Sequence, residues 1–187
     1  MSPGRLNALT DGVIAIVLTI MVLELKFPAE PTLAAGLAVL PLLAAYLLAF
    51  VNVAIFWNNH HHMMQSAHKV TGAVLWANHA LLFCLTLFPL MIRWIDEAGV
   101  TSWPVASFGV VLVGSAIAYQ LLEQALIRAD GEDSRVKRAV GSGLKERASF
   151  ALYVLAIPAA FVSPYISVAI YVAVSIVWVV PDRRFER

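Results

Sequence analysis

The amino-acid sequence predicts an all-α, polytopic membrane protein with six transmembrane helices and with both termini in the cytoplasm. Three observations lead to this fold class: a high apolar content, a series of apolar runs as long as a bilayer is thick, and basic residues concentrated in alternate connections. Of the 187 residues, 60% are hydrophobic and 13% are charged, whereas soluble domains average about 45–50% apolar and about 25% charged residues. This composition suits lipid rather than water.

Six apolar runs are the candidate spans. A helix needs about 20 apolar residues to cross the hydrocarbon core, and the first run would extend about 31 Å at about 1.5 Å per residue. The last apolar stretch is too long for one span, and Pro164 offers a turn that divides it into two short helices. The predicted spans are residues 7–27, 32–57, 70–92, 105–126, 148–163 and 165–180.

The connection at residues 128–147 is a dense mixture of charged residues and glycines, which predicts the one substantial aqueous loop. Little sequence remains for any other domain, so residues 1–187 are predicted to form a single membrane domain. The single Cys84 lies inside an apolar run, and no intramolecular disulfide can form.

The distribution of basic residues sets the orientation. With the N-terminus inside, eleven of the thirteen Lys and Arg residues lie on the cytoplasmic side, and only Lys26 and Arg93 lie outside. Cytoplasmic loops carry an excess of Lys and Arg, so this orientation is the expected one. The formal net charge of +1 argues against a nucleic-acid-binding protein.

The sequence carries no signature of an enzyme. It has no glycine-rich phosphate loop, no serine with a positioned histidine and carboxylate, and no paired-carboxylate helix motif. We therefore expect neither a catalytic residue nor a cofactor.

The first span carries the most specific motif. Arg5 is followed by the triplet Leu9-Thr10-Asp11, by Gly12 and by an aliphatic run that contains a threonine. This pattern resembles the first-helix signature of the transmembrane-protein-175 potassium channel family, the endolysosomal channels and their prokaryotic relatives. The family pattern is an Arg, then Phe-Ser-Asp, then Gly and a Thr-Leu-Leu-like aliphatic run. Here the hydroxyl and the carboxylate of the triplet are kept and the aromatic residue is lost.

Further matches to the family follow in the second and third spans. Trp57 is followed by His60 and His61, Asn78 lies in the third span, and Pro89 closes that span. Beyond Pro89 the resemblance is confined to the hydropathy profile.

The resemblance implies a six-helix subunit that assembles as a homotetramer around a central pore lined by the first helix. It implies a potassium-permeable cation channel of the plasma membrane, in a prokaryote the inner membrane, with passive conduction and modest selectivity for potassium over sodium. The implied partners are further copies of the chain, the lipid bilayer, K⁺ and other monovalent cations.

The resemblance also implies which residues face the pore. The constriction positions of the family fall on Ile16, Ile20 and Leu23, and the threonine implicated in selectivity falls on Thr19. At about 100° per residue, the three aliphatic residues lie within about 60° of one another, so one helix face could line an axis. A ring of aliphatic side chains can gate by dewetting, and Ile16 is the tightest gate candidate. Without the resemblance, contact with lipid or with the core would be the ordinary interpretation of this face.

A polar network near the cytoplasmic mouth is a further implication, with a structural and gating role rather than direct ion coordination. Arg5 and Asp11 lie about 240° apart around a helix, so each is expected to meet another helix or subunit. The residues assigned to this network are Arg5, Thr10, Asp11, Trp57, His60, His61 and Asn78.

Consecutive histidines at His60, His61 and His62 raise the alternative of a metal site. Neighbouring residues on a helix point about 100° apart and cannot converge on one ion, so no metal is expected. Protonation of these histidines could bias gating near neutral pH.

Two other classes of membrane protein remain open. His79 and Glu123 are ionisable residues within spans, as a proton-coupled secondary transporter of a small solute or ion would require. An accessory membrane subunit would show the same hydropathy without the Arg5 to Asp11 signature. Glu24, at the outer end of the first span, either attracts cations to the mouth or marks the membrane interface.

Overall fold

The structure is a computed structural model that describes residues 2–131, 134, 136–137 and 143–179. Within these residues the regular elements are all α-helices. Eight of the twenty residues of the predicted aqueous loop lie outside them, as do the last residue of the sixth predicted span and the predicted cytoplasmic residues Arg135, Arg138, Arg183, Arg184 and Arg187. The helices are α1 (Pro3–Leu23), α2 (Leu33–Ala38), α3 (Leu40–Gln65), α4 (Gly72–Leu85), α5 (Phe88–Ala98), α6 (Ser102–Asp130), α7 (Leu144–Ala159) and α8 (Pro164–Val179).

These helices form six crossings, because α2 with α3 and α4 with α5 each make one nearly continuous stretch. The stretches that are long and apolar enough to cross a bilayer are Pro3–Leu23, Leu33–Gln65, Gly72–Ala98 and Ser102–Asp130. The helix α8 is apolar but shorter. An even number of crossings leaves the start of α1 and the end of α8 on the same side. The chain is thus a multi-pass membrane protein, and the predicted six-helix fold class is confirmed.

Two spans are broken near their outer ends, and each break has a proline just after it. α3 begins at Leu40 with Pro41 in its first turn, and α5 begins at Phe88 followed by Pro89. Proline has no N–H to donate to the preceding turn, and so the α-helical pattern of hydrogen bonds is interrupted there.

The helix ends differ from the apolar runs by several residues. α3 continues to Gln65, eight residues past Trp57, and α6 extends from Ser102 to Asp130. α1 ends at Leu23 rather than Phe27, ahead of the Pro28 and Pro31 connection. A helix continues into the polar interface as long as its backbone hydrogen bonds are satisfied, whereas hydropathy detects only the segment that is immersed in lipid.

The core is organised around α6, which packs against α3, α4, α5, α7 and α8. Leu112, Leu122 and Leu126 on this helix are fully buried. Gly109 on α6 faces Tyr171 on α8, whose hydroxyl donates to the Val105 carbonyl oxygen at 3.3 Å. The helix α1 lies beside α3, α4 and α5 at the opposite side from α7 and α8.

Candidate functional site

The first helix has two distinct faces. One face is buried against its neighbouring helices and carries residues at three- and four-residue spacing: Leu6, Thr10, Ile14, Val17 and Met21. The other face is exposed on the single chain, and we call it the α1 stripe: Leu9, Gly12, Ile16, Thr19, Ile20 and Leu23. Because i, i+3 and i+4 positions share a helix face, the stripe is continuous along the length of α1.

The three residues predicted to form a constriction all lie on the α1 stripe. The exposed fractions of Ile16, Ile20 and Leu23 are 59%, 41% and 77%. An exposed helix face with this many large apolar side chains is expected to lie against lipid, against another chain or along a narrow pore that excludes water.

Thr19 lies on the same stripe, between Ile16 and Ile20. Its hydroxyl is directed back at the helix, within 3.0 Å of the Ala15 carbonyl oxygen and 2.9 Å of the Ile16 carbonyl oxygen. The hydroxyl has a single proton, which it donates along the helix, and its lone pairs are then turned towards the exposed side. The stripe therefore presents an oxygen, rather than a hydrocarbon, at Thr19.

The carboxylate of Asp11 is held from two sides. Trp57 on α3 donates its indole N–H to Asp11 Oδ1 at 2.8 Å, and Asn7, one turn earlier on α1, donates to Asp11 Oδ2 at 3.1 Å. A charge near the membrane interior requires such donors, because water is scarce there. The bond from Trp57 ties α1 to α3, and the bond from Asn7, within α1, holds the carboxylate in place.

Thr10, the residue before Asp11, belongs to a buried polar triad with Asn78 and His60. Asn78 on α4 donates to Thr10 Oγ1 at 3.0 Å and accepts from His60 Nε2 at 2.8 Å. All three side chains have no exposed surface. The contact with the amide oxygen indicates that Nε2 carries the His60 proton, and within the described chain Nδ1 has no hydrogen-bond partner. The triad joins α1, α3 and α4.

His61 continues the network on α3. Its ring stacks on Trp57, with ring centroids 5.6 Å apart, and its Nε2 accepts from Gln65 at 2.8 Å. His60 and His61 thus point to different partners. Across the described residues no group of three or more His, Cys, Asp or Glu side chains is placed to hold a metal ion.

The structure brings six of the seven residues assigned to the network together and leaves Arg5 apart. Arg5 is exposed at the start of α1, and its guanidinium makes no ion pair or hydrogen bond within the described residues. At about 100° per residue it lies on the side of the helix that carries Ile16 and Leu23. Its side chain is therefore directed away from Asp11.

Several polar residues were not singled out from the sequence. Asn7 could have been found from its i, i+4 relation to Asp11. Asn52, Tyr153 and Ser175 form a second buried cluster, in which Asn52 donates to Ser175 Oγ at 3.0 Å and accepts from the Tyr153 hydroxyl at 3.3 Å. This cluster had no local signal, because its members come from three helices far apart in sequence.

His79 and Glu123, the two residues that suggested a transporter, are separate from the network. His79 is exposed on α4, and its Nδ1 lies 2.6 Å from the Leu75 carbonyl oxygen one turn earlier. Glu123 is partly buried on α6. Within the part of the chain that the structure describes, His79 and Glu123 are not hydrogen-bonded to each other.

Known proteins are similar to this chain in sequence and in architecture. Residues 5–89 match the family of the endosomal/lysosomal potassium channel TMEM175. A potassium channel of Chryseobacterium sp. (strain P1-3) is 46% identical over 187 residues, covering 100% of this chain and 97% of the relative. A potassium channel of Streptomyces collinus is 30% identical over 180 residues, covering 89% of this chain and 86% of the relative.

The fold is also found in a solved structure. The crystal structure of a lysosomal potassium-selective channel TMEM175 homolog from Chamaesiphon minutus superposes on this chain with a TM-score of 0.82 and 24% identity. The match covers 95% of this chain and 96% of that chain. Identity of 46% along the entire length, together with the match over the motif-bearing segment, identifies the chain as a member of the TMEM175 potassium channel family and not of any class of enzymes.

Proposed function

We propose that this protein conducts potassium passively across the plasma membrane, in a prokaryote the inner membrane, through a pore formed by several copies of the chain. The observation that carries the proposal is the α1 stripe, which is exposed and apolar while the opposite face of the same helix is buried. Membership in a family whose bacterial relatives are named potassium channels supports it. The same relatives disfavour a proton-coupled transporter.

The arrangement of helices favours a pore between chains rather than within one. The centre of the subunit is filled by α6, whose inward-facing leucines are fully buried. Most soluble oligomers are closed and symmetric; by analogy, four copies with their α1 stripes facing one axis would form the homotetramer that the family resemblance implies. The remaining helices would surround the pore and face lipid.

In such an assembly the stripe would form a hydrophobic gate. Ile16, Ile20 and Leu23 lie one turn or less apart, so each would contribute one ring to an apolar throat. A narrow throat of this kind excludes water and hydrated ions until it widens. Ile16 is the most central of the three along α1 and is the assigned gate.

Thr19 would supply the only hydroxyl ring between these aliphatic rings. Its lone pairs would replace part of the water around a cation, while the aliphatic rings above and below would disfavour fully hydrated ions. K⁺ loses its hydration water more easily than Na⁺, so this combination would give a modest preference for K⁺ without a ring of backbone carbonyls.

The polar network would position the inner half of the pore. Asp11 is held by Trp57, and Thr10 is held by Asn78, so two successive residues of α1 are fixed to α3 and α4. A helix anchored on one face keeps the opposite face in a fixed register. Rearrangement of these bonds would rotate or shift the α1 stripe and thus alter the gate.

Flux from liposomes containing the purified protein tests the proposal. A potassium gradient should drive a passive, voltage-following current, with the reversal potential in mixed ions showing K⁺ favoured over Na⁺. Flux that required a proton gradient and saturated with substrate would overturn the channel proposal.

Replacement of Ile16 tests the gate. Ile16→Asn places an amide in the narrowest predicted ring, which should hydrate the throat and raise the basal conductance. The matched control is Val22→Asn, because Val22 is also exposed on α1 but lies about 120° around the helix from Ile16. Equal basal conductance in the two variants would refute the assignment of Ile16.

A further inference from the structure

An apolar crevice separates α3 from α8 in the outer half of the subunit. Its volume is 240 Å³, and its floor is made by the buried side chains of Ile95, Val105 and Phe108. Ala45 on α3 and Val168 on α8 line its two walls. The side chains that face one another here are too small to close the gap between the helices.

The crevice opens sideways, in the direction of lipid. Ala44 on α3 and Val172 on α8 line it and are exposed on the outside of the bundle. A dry apolar cavity of about 150 Å³ is already large enough to bind benzene. An apolar crevice of this size, open to a bilayer, suits part of a hydrocarbon chain.

At its outer end the crevice continues into a wider basin of 580 Å³, whose mostly apolar lining includes two charged residues. The two cavities share four lining residues: Pro41, Ile95, Val100 and Tyr165. Lys26 and Asp96 line the basin, and Tyr165 stands exposed at the junction. Amphipathic aromatic side chains are typical of the level of the lipid head groups.

Lys26 and Asp96 are close together in the basin but are not hydrogen-bonded to each other, and Glu97 beside them accepts from Arg93 Nε at 3.0 Å. Lys26 Nζ lies 3.8 Å from Asp96 Oδ2 and 3.8 Å from Glu97 Oε1, which is longer than a hydrogen bond. An ammonium group has three donors, and these remain available to a phosphate. The Asp96 carboxylate, which lines the basin, in turn remains available to a cationic amine.

We infer that the crevice and the basin together bind one phospholipid of the outer leaflet that carries a zwitterionic, amine-bearing head group. One acyl chain lies between α3 and α8, Lys26 binds the phosphate, and Asp96 binds the amine. The alternation of one positive and one negative side chain matches the two charges of this head group. A purely anionic head group has no amine to bind Asp96, and its charge would be repelled by this carboxylate, whereas Glu97 is paired with Arg93. This binding is independent of ion conduction.

Native mass spectrometry of the delipidated full-length protein tests the inference, with phosphatidylethanolamine and phosphatidylglycerol of identical acyl chains added separately. Phosphatidylethanolamine should be retained in preference. Val172→Trp should fill the opening and abolish this retention, whereas Val177→Trp, an exposed valine of the same helix outside the crevice, should leave it unchanged. Lys26→Gln should weaken binding about five-fold, and Lys69→Gln, at an exposed site elsewhere, should not.

Three results would overturn the inference. The first is retention of phosphatidylethanolamine by Val172→Trp equal to that of Val177→Trp. The second is equal retention of the two lipids, since the head group would then not be recognised. The third is a change in the oligomeric state of Val172→Trp with unaltered lipid retention, which would assign the crevice to contacts between copies.

Discussion

At the scale of single residues, Asn78 is the central member of the buried polar triad. Its side-chain amide serves Thr10 on α1 and His60 on α3 at once, and all three groups are buried. Each buried polar group left without a partner costs about 1–3 kcal/mol. The Asn78 amide therefore links the three helices by hydrogen bonds. A leucine side chain has a similar size but could form neither bond.

Replacement of this amide should destabilise the protein. Asn78→Leu keeps the volume and removes both hydrogen bonds, so we expect the free energy of unfolding to fall by about 1–3 kcal/mol. Thermal unfolding of the purified protein in detergent measures the change. The control is Asn58→Leu, at an exposed position of α3, and an equal effect of the two substitutions would show that the triad does not contribute.

The sequence indicated the residues of this network but not their pairing. Asp11, Trp57 and Asn78 could be named because their types and order match a family pattern. Thr10 and Asn78 are 68 positions apart, and their contact depends on how α1 packs on α4, which hydropathy does not describe. Arg5 was assigned to the same network, yet in the single chain it points elsewhere, because residues six apart on a helix face different directions.

At the scale of helices, the close contact between α6 and α8 depends on Gly109, which has no side chain. A β-carbon added to Gly109 would collide with the Tyr171 hydroxyl and would also press on Ile157, whereas one added to Gly114 on the same helix would make an ordinary contact with Cys84. The close approach at Gly109 lets the Tyr171 ring enter the core and reach Phe108, with ring centroids 5.7 Å apart.

Substitution of the two glycines should therefore have opposite effects. Gly109→Ala should destabilise the protein by about 1–3 kcal/mol through overpacking, while Gly114→Ala should be neutral or stabilising, since alanine favours helix over glycine by about 1 kcal/mol. Tyr171→Phe should partly rescue Gly109→Ala by removing the colliding oxygen. Thermal unfolding of the four proteins and the double variant measures both effects, and equal stability of the two alanine variants would contradict this interpretation.

The number of crossings could be predicted from hydropathy, whereas the interruptions could not. An average over an apolar run does not register the loss of one hydrogen bond at Pro41 or Pro89, and so the short helices α2 and α5 were merged into their neighbours. Their prolines were nevertheless visible in the sequence, and the rule that proline begins a helix more readily than it continues one explains both positions.

At the scale of the molecule, the chain has an uncovered apolar face at α1 and a filled interior at α6. If four copies place their α1 stripes around one axis, Leu23, which is 77% exposed at the end of α1, lies near the same residue of the neighbouring copies. In an isolated chain it would face lipid. The tetramer and the isolated chain differ in the distance between the Leu23 side chains of different copies.

Crosslinking distinguishes them. In a chain with Cys84→Ser, Leu23→Cys should be joined between copies by a short bifunctional thiol reagent, giving a ladder of products that ends at the tetramer on a denaturing gel. Val177→Cys on the outward side of α8 should remain monomeric under the same treatment. A ladder that is absent for Leu23→Cys, or that continues past four copies, would refute the proposed assembly.

The bond between Thr10 and Asn78 also has a consequence for biosynthesis. A ribosome adds about 5–20 residues per second, so α1 waits roughly three to fourteen seconds for the 68 residues that bring its partner. Until Asn78 has been made, the Thr10 hydroxyl lacks this partner, and a threonine in a helix can then donate to the backbone of its own preceding turn. The first helix to be inserted thus acquires its fixed register only when the third span has been made, after and not during its own insertion.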